Sequence, residues 1–234
     1  LDRYRVDTIV ARITSKAQHV MLTSVLSQPD FAMVTLEDAF CVFLRDDAAL
    51  TGGGKPQPLR LSPSYEPGWL LDADAATERA IASELARLPV HENTLGYRGW
   101  VEGVLELKPF MRAGRDNGLR SPVDPGEVAI FRRAEARLAR AASAAQHVPV
   151  AHAYHALVAA ALCHLDAAER ALALARAEGE SRETLLGAQE VALRRGQRDA
   201  VRAFLARAHA LPQARTDPWL AALSDGLRSP PRCP

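Results

Sequence analysis

LDAAERALALARAEGE, residues 165–180, and RDAVRAFLARAHALPQ, residues 198–213, are two versions of one segment. Asp166 and Ala167 align with Asp199 and Ala200, Ala171 with Phe204, and Ala175 with Ala208, each pair 33 residues apart. Upstream, Val158 stands at the same distance from Val191. Small residues at fixed helical positions let two helices approach closely, and a large side chain one turn on fills the groove between them. The pattern predicts paired antiparallel helices that recur along the chain.

This recurrence resembles the tetratricopeptide repeat, a two-helix hairpin repeated about every 34 residues. Ala188, Ala200, Phe204 and Pro212 stand where that family places two small residues, an aromatic and a terminal proline. Ala167 and Ala171 are the counterparts of Ala200 and Phe204 in the earlier copy. Arg207 stands where the family prefers a small residue, and the earlier copy lacks the proline. Two copies are fewer than the three or so that a free-standing solenoid needs. Further irregular hairpins are therefore expected from helices read at 73–88, 95–113 and 125–146, the last opened by Asp124 and Pro125 with Glu127 in its first turn.

Before residue 70 the pattern changes. Residues 46–69 are rich in Gly, Pro and Ser and read as a linker or surface loop. FAMVTLEDAFCVFLR, residues 31–45, reads as a hairpin turning at Glu37 and Asp38, apolar on both strand faces. YRVDTIVARI, residues 4–13, reads as a strand, and a helix capped by Thr14 or Ser15, with Val20, Met21, Val25 and Leu26 at helical spacing, runs from there to Pro29. The first two strands, joined through a helix, are expected as parallel neighbours. Three strands are a marginal core alone, so later helices or upstream strands must cover them. The expected class is α+β, mostly α: a small β-α-β-β unit over 1–48, a linker over 49–71, tetratricopeptide-like helical hairpins over 72–228 and a disordered tail over 229–234.

The composition is globular, with 48% hydrophobic and 24% charged residues among 234. A formal net charge of +1 gives no field for nucleic acid, which is not expected as a partner. No apolar run of 18 or more residues appears, and no signal segment opens the chain. The first residue is Leu1, which suggests a fragment or processed product. Cys41, Cys163 and Cys233 are odd in number and far apart, supporting neither a disulfide framework nor a CxxC site, and two of them read as small buried hydrophobes.

Candidate sites are few. TGGGKPQ lacks a Ser or Thr after Lys55, and Pro56 and Pro58 exclude a helix start there, so it is not a phosphate loop. His147, His152, His155, His164 and Cys163 are the densest possible metal ligands, yet no third ligand stands at a firm spacing and no metal or cofactor is expected. No GxSxG elbow occurs. His91, Glu92, Asn93, Tyr97, Arg98 and Trp100 cluster as a loop and amphipathic helix start, and converging His91, Glu92 and Arg98 would make a small-molecule enzyme pocket. Arginines on the last helices, Arg194 and Arg198 among them, alternate with acids on solvated faces that could hold an acidic segment.

Residues 4–45 also carry the order Val6-Asp7, Leu26, Pro29-Asp30-Phe31, Val34, Glu37-Asp38 and Val42-Phe43-Leu44-Arg45. This resembles the C-terminal tail of polytopic bacterial membrane glycosyltransferases of the polyprenyl-phosphate-sugar mannosyltransferase type, in which an α/β unit precedes degenerate tetratricopeptide helices. The resemblance implies a transmembrane bundle and further strands upstream, an extracytoplasmic (periplasmic) location and catalytic acids in the membrane portion, so that no catalytic residue transfers here. The expectation is a non-catalytic interaction region binding a protein partner, an acceptor or its own membrane domain. The alternative is a stand-alone cytoplasmic tetratricopeptide-like scaffold whose residues 70–228 fold alone.

Overall fold

The computed structural model describes residues 6–13, 22, 24–28, 30–45, 58–65, 67–90, 92–113, 119, 121–144, 148–177, 179, 181–210 and 233. They form two compact units that divide between Arg98 and Gly99.

The first unit holds strands β1 (Thr8–Arg12), β2 (Phe31–Leu36) and β3 (Phe40–Arg45), a single turn α1 (Gly68–Leu71), helix α2 (Ala75–Arg87) and the start of α3 (Glu92–Ala113). The strand order is β1-β3-β2, and both pairings are antiparallel. The expected parallel neighbours are therefore corrected: β1 and β2 run the same way, but β3 lies between them. The tight turn delivers β3 onto one edge of β2, and the free edge of β3 then takes β1. That arrangement places the most apolar strand in the centre, with Cys41, Phe43 and Leu44 buried. Between the first two strands, Leu22 and Ser24–Leu26 are helical, with Leu22 and Val25 buried; Thr14, Ser15, Val20, Met21 and Pro29 lie outside the described residues.

The chain beyond β3 returns to cover the sheet. Leu59 donates its amide to Met33 O at 2.7 Å beside the irregularity in β2, and Leu61 and Tyr65 are buried. Arg87 donates to Pro58 O at 3.1 Å, and Glu84 accepts from Arg60 N at 3.2 Å, tying this extended stretch to α2. Helix α2 starts where Asp74 accepts from Thr77 N at 2.7 Å, satisfying one of the amides that a helix start leaves without a partner. Helix α3 is capped from a distance. The buried Asp38 carboxylate, at the hairpin tip, accepts from Gly96 N at 2.9 Å and Tyr97 N at 2.7 Å. A carboxylate beside helix amides is favourable electrostatically as well as geometrically.

In the second unit, the rest of α3 packs against α4 (Pro125–Ala144) through two glycines. A Cβ on Gly99 would stand 2.9 Å from Arg137 O, and one on Gly103 2.8 Å from Leu138 Cγ. The rings of Phe110 and Phe131 meet edge to face at 4.8 Å. Asp124 accepts from Glu127 N at 2.9 Å, the cap that the Asp124-Pro125 start predicts, and Glu127 in turn accepts from Val123 N at 2.8 Å.

Two helical hairpins complete the unit, α5 (Pro149–Ala161) with α6 (Leu165–Ala177) and α7 (Arg182–Arg194) with α8 (Arg198–His209). Corresponding helices begin 33 residues apart, so the α+β, mostly helical class and the repeat spacing are both present in the structure. Helix α5 packs on α4, α6 and α7, and α7 on α6 and α8. Ala188 and Ala171 are buried between the hairpins with Ala156, Ala160 and Val191, and the half-buried Ala167 packs against this cluster. Phe204, also half-buried, touches this cluster and the next, where Ala200 packs beside Leu185, Val201 and Leu205. Pro212 lies outside the described residues.

Candidate functional site

The aromatic and polar cluster near residue 97 turns inward. Tyr97 is fully buried and donates its hydroxyl to Ser62 O at 2.5 Å, and Tyr65 donates to Asp38 O at 2.8 Å. The two rings meet edge to face at 5.7 Å, and burial holds both phenols well above their ordinary pKa. Trp100 is fully buried as well, within the second unit. Tyr97 and Trp100, expected near a pocket, are thus buried core residues. Arg98 is half-buried, while His91 and the side chain of Glu92 lie outside the described residues.

Arg194, expected on a solvated face, is likewise corrected: it is 3% exposed. Its guanidinium pairs with Glu190 at 2.7 Å, one helical turn back, and donates to Leu119 O at 3.2 Å and to Ser121 Oγ. Desolvation raises the pKa of Glu190, and the Arg194 charge and hydrogen bond oppose that rise. The spacing of Glu190 and Arg194 is the signal that could have placed this pair, because an acid four residues before an arginine shares its helix face. Arg198, by contrast, is exposed on α8.

The histidines separate. His152 is buried and His155 half-buried on α5, while His164, in the α5–α6 turn, approaches Glu135 of α4 with Nδ1 at 2.9 Å. Desolvation lowers the pKa of His155, with Glu135 opposing and His152 and Arg170 adding to the effect. Among the described residues no three His, Cys, Asp or Glu side chains stand where they could hold a metal ion. His147 and residues 51–57, with Lys55, lie outside the described residues.

The cysteines give the clearest surprise. Cys163 and Cys233 form a disulfide across 70 residues of sequence, correcting the expectation that no bridge exists. Sequence separation carries no information about proximity once helical hairpins fold back, and an odd count hides a pair and a single. Cys41 is the single one, fully buried and free, its thiol pushed up to about 12 by burial. It is the small apolar residue that its strand pattern predicts.

On the remaining surface a groove of about 690 Å³ runs past the start of α4, lined by Pro122, Val123, Pro125, Val128, Arg132 and Arg133. Ion pairs cross between helices: Arg137 to Glu106 at 3.0 Å and Arg195 to Glu169 at 2.7 Å. No described helix is long and apolar enough to cross a membrane. The class these features define is a mostly helical protein with repeat-like packing and, among the described residues, no assembled catalytic cluster. Compared with known proteins, the chain matches no family model, no curated protein and no solved structure.

Proposed function

We propose that this chain is a non-catalytic interaction region that holds a protein partner, a glycan acceptor or its own membrane domain on a helical-repeat surface. The observation that carries the reading is the 33-residue recurrence of helix pairs, with Asp38 committed to an internal cap and Glu190 and Arg194 to a buried ion pair. Stacked hairpins bury one continuous core and leave an extended outer face for binding. Arg198, Arg202 and Arg207 lie on the exposed side of α8.

The same proposal places the chain on the extracytoplasmic face of a bacterial membrane, as the tail of a transferase of the polyprenyl-phosphate-sugar mannosyltransferase type. One feature supports it: the residue order in 6–45, which ends a sheet with β3 at its centre. The test is the coding sequence upstream of Leu1. Several apolar runs of about 20 residues are expected there. A start codon within a few residues would overturn the membrane parentage and leave a self-contained scaffold. The interaction itself is tested by a photo-crosslinking residue at Arg198 in native membranes. A discrete adduct is expected, and its absence, with a control at buried Leu205 equally silent, counts against binding on α8.

A further inference from the structure

Cys163 occupies a position that the second hairpin gives to glycine. It stands 33 residues before Gly196, and the two backbones share the left-handed region, with φ of 63° and 71°. No other described non-glycine residue has a positive φ. The surrounding hydrogen bonds match one for one. His164 N donates to Ala159 O at 2.8 Å and Gln197 N to Ala192 O at 2.9 Å; Cys163 N donates to Ala160 O and Gly196 N to Leu193 O, both at 3.0 Å. This is the helix-ending motif that requires a left-handed residue, which glycine supplies without strain and a residue carrying a Cβ does not. Locally, cysteine is the inferior choice at 163. What it gains is the bond to Cys233, which closes a loop containing α6, α7 and α8.

We propose that Cys163–Cys233 is a reversible redox staple: the left-handed turn site of the first hairpin is given to cysteine so that the thiol–disulfide state of the surroundings sets the stability of the C-terminal hairpins. Both cysteines are half-exposed, so a thiolate can reach the bond. The reductant is a dithiol. One of its thiolates attacks a bridge sulfur, releasing the other cysteine as a thiol; its second thiol then resolves the mixed disulfide. Two electrons and two protons pass to Cys163 and Cys233, and the reductant leaves as a cyclic disulfide. Cys41 takes no part, being fully buried. The inference is independent of what the repeat surface binds and of any membrane parentage.

The experiment melts the full chain with and without dithiothreitol, as wild type, Cys163→Gly and Cys233→Ser. Beforehand, native-state treatment is quenched and the thiols are alkylated in denaturant, where buried Cys41 also reacts, and counted by mass. Wild type should show one free thiol before reduction and three after, with a melting temperature lower by roughly 10 °C on reduction, the scale of a long closed loop. Both variants should ignore dithiothreitol. Cys163→Gly, relieved of the left-handed Cβ, should melt about 2–4 °C above both Cys233→Ser and reduced wild type, yet below oxidised wild type. Three free thiols in the untreated protein, a bridge that native-state dithiothreitol leaves intact, or reduction without a melting shift would each overturn the proposal. A Cys163→Gly melting point at or below that of Cys233→Ser would overturn the argument from the turn.

Discussion

The two C-terminal hairpins share one backbone and solve it with different side chains. In the first, alanines dominate the packing of α5 and α6: Ala156, Ala159, Ala160, Ala168 and Ala171 are buried in one cluster with Leu172. In the second, α7 and α8 meet through Leu185, Leu186, Leu193, Val201 and Leu205, with the Phe204 ring where the first hairpin has Ala171. The helix-ending turn uses a bridged cysteine in one and glycine in the other. Leu157 and Ala161 in the first are answered by the ion pair Glu190–Arg194 in the second. Helix spacing and turn hydrogen bonds are thus what the repeat keeps, while the groove filling varies. Dispersion contacts and burial can be supplied by close backbone approach or by larger side chains at equal packing density.

The comparison breaks most sharply at the buried pair. Arg194→Ala should destabilise by about 3–5 kcal/mol, because it strands the Glu190 carboxylate in the core. Borrowing both residues from the first hairpin, as Glu190→Leu with Arg194→Ala, should cost clearly less than the single change, since no buried charge remains. Urea unfolding of both variants checks this, and a double variant no better than the single would show that the contacts of Arg194 with Leu119 and Ser121 carry the effect. Phe204→Ala comes next. It also imports a first-hairpin residue, but without the close helix approach that the alanines there permit, so it should cost about 2–3 kcal/mol for a half-buried ring. An unchanged urea midpoint would remove Phe204 from the groove between the hairpins.

Much of the fold is legible in the sequence, and the reasons are local. The hairpin at 31–45 and the helix start at Asp124 and Pro125 arise from alternation, caps and turn residues, which act within a few positions. The 33-residue recurrence is visible because small residues at fixed spacing leave a periodic trace. The features that escape depend on contacts between distant segments. β3 takes the centre of the sheet because it gains a second partner in β1, which no strand pattern specifies. Asp38 reads as a turn residue, yet it caps a helix 58 positions away. Arg194, in an Arg-Arg pair at a helix end, carries a surface pattern; the Leu119 carbonyl and Ser121 hydroxyl brought against it join Glu190 in making its burial tolerable.

The smallest expected effect concerns pH and again sets one hairpin against the other, since His155 in the first corresponds to Ala188 in the second. Desolvation depresses the pKa of His155, so below its ordinary value of 6.5 the unfolded chain takes up a proton more readily than the folded one. Its contribution is therefore complete above pH 6.5 and is lost as pH falls through the depressed value. The charged groups facing it, Glu135 from α4, His152 on its own helix and Arg170 from α6, only modulate that direction. Glu190 acts oppositely. Its pKa is raised above 4.5, so its contribution is complete below pH 4.5 and is lost as pH rises through the raised value. In wild type the two slopes oppose each other between pH 4.5 and 6.5. His155→Ala, which copies the second hairpin, should leave the Glu190 slope alone, so stability measured by urea unfolding should rise more steeply as pH falls from 6.5 than in wild type. Identical pH profiles for the two proteins would mean that the His155 imidazole is hydrated in the folded state, and that α5 is less tightly covered than its alanine packing implies.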